Sequence, residues 1–137
     1  MKNTILLAAV ILFSVLRCSA QSTDTATSDR TYTKVEVEAS YPGGTRAWLA
    51  FLNHNLRYPD DAVNNEIMGT VIVSFIVNTD STISDVHAIS GPTKGGLREE
   101  AVRVITLSNK WVPGMADGRA VRSYKKQPLV FKLEVSK

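Results

Sequence analysis

The stretch Gly69–Val77, GTVIVSFIV, constrains the fold of this chain more than any other. Val71, Val73, Phe75 and Val77 recur at every second position, while Thr70, Ser74 and Asn78 fall on the opposite side beside Ile72 and Ile76. Side chains alternate across a strand, so a period of two predicts a β-strand with one buried and one mixed face. A face that apolar has to be covered by a second layer of structure. The turn residues Asn78-Thr79-Asp80-Ser81 follow, and residues 82–90 read as the returning strand. Alternation slips between Ile83 and Val86, which places a β-bulge near Ser84-Asp85.

Helical spacing flanks this hairpin on both sides. Upstream, Trp48, Leu49, Leu52 and Leu56 form one apolar stripe, with Arg46, Asn53 and Asn55 at polar positions. Thr45 is expected to cap this helix, because its hydroxyl can accept from a free first-turn amide. Tyr58-Pro59 stops it, since the residue before proline is pushed out of the helical region. Pro59 then opens a second short turn with Asp60 and Asp61 at its positive end. Downstream, Leu97, Ala101, Val104, Ile105 and Ser108 define the core face of a second full helix, with Glu99 and Glu100 in its first turn and Lys110 just past its end. Trp111-Val112-Pro113-Gly114 ends it, residues 115–120 read as a loop with an Asp117-Gly118 turn, and residues 121–135 are strand-like with interruptions at Lys125-Lys126 and Pro128. Val35-Glu36-Val37-Glu38-Ala39 alternates apolar and acidic residues and could form a further short strand. The expected fold class is α+β, a small, mainly antiparallel sheet with two helices packed on one face.

The 137 residues suffice for one domain. Residues 1–20 have the form of a secretory signal peptide: Lys2, an apolar run over residues 5–16 broken only by Ser14, then the small residues Ser19 and Ala20. A membrane anchor through residues 4–16 is the alternative, but spanning needs about 20 apolar residues. Lipidation of Cys18, the only cysteine, would require a small residue where Arg17 stands. After cleavage behind Ala20 no disulfide, thiol nucleophile or thiolate metal site remains. Two of the 16 basic residues, Lys2 and Arg17, leave with that segment, so the mature chain is close to neutral against 13 acidic residues and carries no nucleic-acid signature. Residues 21–34 are read as a disordered lead, rich in Ser, Thr and Asp over their first ten positions, and residues 35–137 as the domain.

The residues able to carry chemistry have plainer roles. His54 and His87 fall on different elements, and a zinc site needs three or four ligands. Asp60-Asp61 and Glu99-Glu100 sit where helix starts favour negative charge, and adjacent helical side chains do not face one another. Gly43-Gly44 and Gly95-Gly96 lack the Lys-Ser/Thr of a phosphate-binding loop and read as turn glycines. Trp111 and Tyr58 read as anchors closing the helices onto the sheet, with base or sugar stacking as the alternative.

Tyr41-Pro42-Gly43-Gly44, Asn55-Leu56-Arg57-Tyr58-Pro59, the run Gly69–Val77, Ile83-Ser84-Asp85-Val86, Glu100-Ala101, Trp111-Val112-Pro113-Gly114 and Pro128-Leu129-Val130-Phe131 together resemble the TonB C-terminal family in its Bacteroidetes form. The resemblance extends over residues 41–135 and rests on the order and spacing of these pieces. It implies a TolA/TonB C-terminal-like fold and a periplasmic, non-catalytic domain without cofactors. The partner it implies is an outer-membrane TonB-dependent transporter, whose extended TonB box pairs with the edge of the sheet. Full transducers of the family also have a membrane helix and a Pro-rich spacer, and the resemblance here includes neither. An ExbB/ExbD-type motor is therefore expected as an indirect partner only. The family's usual Asp-Gly turn is Asp80-Ser81 here.

The expected peptide edge is the last strand, through Tyr124, Lys125, Lys126, Gln127, Leu129, Val130, Phe131, Lys132 and Leu133. An edge strand offers free N–H and C=O groups to an added strand, and Pro128 is tolerated only at an edge or bulge. Arg119, Arg122, Lys125, Lys126 and Lys132 gather near it, either as a solvated edge that discourages wrong pairing or as a rim that steers an acidic segment. Two rival functions are an envelope scaffold that pairs through the same edge with itself, as a homodimer, or with another periplasmic protein, and a hydrolase, which lacks a nucleophile–base pair.

Overall fold

The computed structural model describes residues 30–134. The elements run α1 (Gly44–Asn55), α2 (Asp60–Asn64), β1 (Gly69–Val77), β2 (Ile83–Ser90), α3 (Leu97–Ser108), β3 (Gly114–Ala116), β4 (Arg119–Val121) and β5 (Ser123–Phe131). The expected signal peptide and residues 21–29 of the expected lead lie outside the described residues.

β1 is the centre of a three-stranded sheet in the order β2-β1-β5, antiparallel on both sides. Val71, Val73, Phe75 and Val77 are fully buried, as their alternation requires, and face Leu97, Ala101, Val104 and Ile105 of α3 in one core cluster. All five residues of the α3 stripe are buried. The β1–β2 register shifts between Ser74 and Ile76, opposite residues 84–87, and Asp85 takes a φ of 52° there, which is the expected bulge. A second shift lies between Ile72 and Val73. In the connecting turn Ser81 adopts a φ of 73°, the conformation glycine takes most easily. Asp80 accepts the Thr82 hydroxyl at 2.5 Å and the Thr82 N–H at 3.0 Å, and these bonds hold its carboxyl below the usual range.

The ends of α1 differ from expectation. Gly43, in the left-handed region at φ 87°, is the N-cap, no side chain caps the helix, and Thr45 lies inside it. Gly44, Gly95 and Gly96 are left-handed too, which accounts for both Gly-Gly pairs as turn geometry. Gly95 has a further reason: a Cβ there would lie 2.8 Å from Ile67 Cδ1. Trp48 is the buried residue of α1, with Leu52 and Leu56 packed beside it, whereas Leu49 is 54% exposed. Trp48 and Phe51 occupy the inward face, and Leu49, about 100° around the helix from Trp48, falls on its flank. α2 begins after Pro59 with Asp60 and Asp61 in its first turn, as the sequence predicts.

The C-terminal third is more ordered than its sequence implies. The expected loop is a hairpin, β3–β4, closed by Asp117 at φ 51° and Gly118 at φ 72°, a pair that suits the twist of a two-residue β-turn. Lys125-Lys126 and Pro128 do not interrupt β5, which pairs with β1 from Gly69↔Phe131 to Val77↔Ser123 and stops at Phe131, short of the expected residue 135. Val37 bridges to Met115 and Ser40 to Val112, so the 35–39 segment runs against the hairpin without a regular strand.

Candidate functional site

β5 is an edge strand, and the direction of its backbone groups defines what it can bind. The Tyr124 N–H donates to the Tyr32 carbonyl at 3.0 Å, on the side away from β1, and the Tyr32 N–H donates to the Arg122 carbonyl at 2.8 Å. Backbone groups in an antiparallel strand point alternately to its two sides. Lys126, Pro128 and Val130 therefore also point outward, while Ser123, Lys125, Gln127, Leu129 and Phe131 point to β1. Pro128 sits where its missing N–H breaks no bond to β1. Among the described residues, nothing pairs with the outer side of β5 beyond Tyr124. The Pro128 carbonyl receives only a long 3.4 Å bond from the Gln127 side chain. Residues 126–130 thus present outward N–H groups at two positions and carbonyls at three.

Side chains divide the expected site in two. Leu129 and Phe131 are each 1% exposed and belong to the core, Phe131 meeting Tyr58 edge-on at 5.7 Å. Their inward position on β5 makes them supports of the edge, and their side chains do not line it. Lys132 and Leu133 follow the last residue of the strand. Tyr124, Lys126 and Val130 are exposed on the face away from the helices, and Lys125 and Gln127 are half-buried on the helix side. The basic cluster is also dispersed: Lys125 Nζ donates to Glu38 Oε2 at 3.3 Å, Arg122 Nε to Asn78 Oδ1 at 3.1 Å, and Arg119 projects from the hairpin. A hollow of about 360 Å³ lies between Thr33, Glu38 and the Tyr124-Lys125-Lys126 end of the edge.

Two features escaped sequence reasoning. Tyr32, expected in a disordered lead, is hydrogen-bonded to the start of β5 and limits the free edge to residues 126–130. Tyr41, Trp48 and Trp111 also come together, with ring centroids 5.2–5.5 Å apart, beside a pocket of about 220 Å³ on the helix side of the same edge. The aromatic content of these segments was the only available signal, because they are joined by tertiary packing. His54 and His87 are both exposed, and His87 Nδ1 lies 3.0 Å from the Asp85 carbonyl oxygen.

The family described as the Gram-negative bacterial TonB protein C-terminal matches residues 54–133. The chain belongs to the TonB C-terminal family. That match takes in α2 through β5 and the whole three-stranded sheet. Among solved structures, the TonB C-terminal domain of Helicobacter pylori resembles it in two solution structures. The one of residues 194–285 is 22% identical with a TM-score of 0.51, covering 66% of this chain and 95% of its own. The one of residues 179–285 is 24% identical with a TM-score of 0.49, covering 69% and 89%. The former shows the shared α+β fold. No curated protein matches the chain. TonB C-terminal domains are periplasmic, transport-associated and non-catalytic, and no helix among the described residues is long and apolar enough to cross a membrane.

Proposed function

We propose that this TonB C-terminal domain binds the extended TonB box of an outer-membrane TonB-dependent transporter by adding it as a fourth strand to β5, within residues 126–130. The observation that carries the reading is the outward-facing backbone of that segment at the edge of the sheet, unpaired among the described residues. Its neighbouring position already holds an extended segment, since Tyr32 makes two backbone bonds there. Backbone bonds of this kind supply affinity, and side-chain pockets supply choice. The area gained by one short strand is small, so binding is weak and suited to transient engagement. Lys126 and Pro128 discourage long, regular pairing at this edge, which supports a short added segment over an extended sheet with a second copy. Residues 1–20 act in this proposal as the signal peptide that delivers the domain to the periplasm, and any link to an ExbB/ExbD-type motor is indirect.

The test is an NMR titration of the purified protein with TonB-box peptides. Amides of residues 126–130 shift more than those of α1 or α3. Lys126→Pro deletes an outward donor without touching the bonds to β1, so it weakens binding at least about tenfold with circular dichroism unchanged. A folded monomer showing no shift along β5 with any such peptide refutes the proposal. A concentration-dependent dimer that protects the same amides favours the scaffold role instead.

A further inference from the structure

Beside the free edge, on the helix side, lies the pocket of about 220 Å³ walled by Tyr41, Thr45, Trp48 and Trp111 and floored by Lys125 and Gln127. We infer that this pocket is a side-chain specificity site, which takes one large apolar or aromatic side chain from the strand added to β5; the inference rests on strand addition at that edge. Its size falls below the roughly 300–1,000 Å³ typical of small-molecule sites and suits a single side chain.

The pleat determines which residue enters. Residues directly opposite one another on neighbouring strands place their side chains on the same face. A ligand residue opposite Gln127 therefore points to the helix side, whichever way the ligand strand runs. Its two neighbours, opposite Lys126 and Pro128, point to the other face. One residue in the ligand thus reads the pocket, and the residues on either side of it do not.

The walls set the chemistry. Trp48 and Trp111 are 6% and 2% exposed, so each shows the pocket only a small part of its ring, held in place by its packing. Trp111 is further fixed by its Nε1–H bond to Ser108 Oγ at 2.9 Å. A rigid aromatic wall gains most from an apolar or aromatic side chain, which buries area without leaving a polar group unpaired. Among the described residues no acidic one lines the pocket, and the Lys125 ammonium is already paired with Glu38 at 3.3 Å, so a cationic occupant finds no counter-charge there. Gln127 and Lys125 stand at inward positions of β5 that a covered strand would fill with apolar residues. The pocket is the space between them and Thr45, Trp48 and Trp111.

Trp48 and Trp111 are the only tryptophans in the chain, so its tryptophan emission arises wholly from the aromatic cluster that walls this pocket. The experiment titrates the purified protein with nine-residue Ser/Thr peptides that differ only in a central Leu, Phe, Ala or Lys. Affinity, tryptophan emission and the amide shifts of Lys126 and Val130 are followed together. The Leu and Phe peptides bind at least about tenfold more tightly than the Ala peptide and alter the emission, and the Lys peptide gains nothing. Thr45→Phe narrows the pocket from a wall and Gln127→Phe from the floor, and in at least one the preference falls to near parity while the amide shifts persist. Equal affinities with amide shifts but unchanged emission overturn the pocket and leave strand addition standing. A preference that survives in both variants also overturns it. Absence of any amide shift with all four peptides overturns strand addition, and the pocket proposal falls with it.

Discussion

Replacing Glu100 tests the electrostatic joint between α3 and the end of α1. Its side chain is 10% exposed. Oε1 accepts the Arg57 backbone N–H at 2.7 Å and Arg103 Nη2 at 2.7 Å, and Oε2 accepts Arg103 Nε at 2.8 Å. Arg103 Nη2 also reaches the carbonyl of Asn55, the last residue of α1, at 2.7 Å, where a positive charge suits the helix dipole. Burial on its own raises the carboxyl's pKa, but the hydrogen bonds from Arg103 and the Arg57 amide, with both guanidinium charges, bring it below the usual range. Arg103 is 43% exposed, so its screened attraction contributes at most about 1 kcal/mol. The Arg57 bond to a charged, mostly buried acceptor contributes about 1.5–3 kcal/mol. Glu100→Ala should therefore cost about 2–3 kcal/mol, and Glu100→Gln, which keeps one acceptor, about 1–2 kcal/mol. Because the folded-state pKa is depressed, this stability is fully present above the unfolded value of about 4.3 and is lost as pH falls through the folded one. Urea unfolding followed by circular dichroism should show a gap between the native protein and Glu100→Gln at pH 7 that narrows at pH 3. A gap under about 0.5 kcal/mol at pH 7, or one of equal size at both pH values, refutes the reasoning.

Phe75 is fully buried and meets Trp111 edge-on at 5.0 Å, so Phe75→Ala should cost about 3–5 kcal/mol. Thr70→Ala, at an exposed position on the other face of the same strand, should cost about 0.5 kcal/mol or less, and equal losses in chemical denaturation would contradict the register. Ser81 holds a left-handed φ of 73° that glycine adopts without strain. Ser81→Gly should raise stability by about 0.5–1 kcal/mol, and a lower melting temperature would show that the Ser81 side chain contributes more than its backbone loses.

Legibility followed the range of the interactions involved. The β1 alternation, the α3 stripe, the start of α2 and the bulge at Asp85 were readable because each depends on residues a few positions apart. Leu49 was misplaced because helical spacing shows which residues share a stripe, while the exposure of its margin depends on what packs against it. Thr45 does not cap the helix because two left-handed glycines start it two residues earlier, with Gly43 as the N-cap. Residues 115–120 read as a loop in the sequence because strands of three residues are too short to show a period. At the candidate site, Pro128 and the lysines mark β5 as an edge in the sequence, whereas the side chains of Leu129 and Phe131, expected at the ligand, face the core.

From the sequence alone followed the α+β class, the central strand with its buried face, the helices that cover it, and the family resemblance that the match over residues 54–133 bears out. All of these rest on local periodicity, on turn chemistry and on the order of short motifs along the chain. Tertiary structure decided which stretch of β5 stays open, through the bonds of Tyr32 to its start, and which of its side chains face the core. It also brought Tyr41, Trp48 and Trp111 to one pocket beside that edge. The physical reason is that a strand's own pattern records only the alternation of its faces. Which neighbour covers each face, and which backbone groups remain unpaired, depends on segments far away in sequence that meet only when the chain has folded.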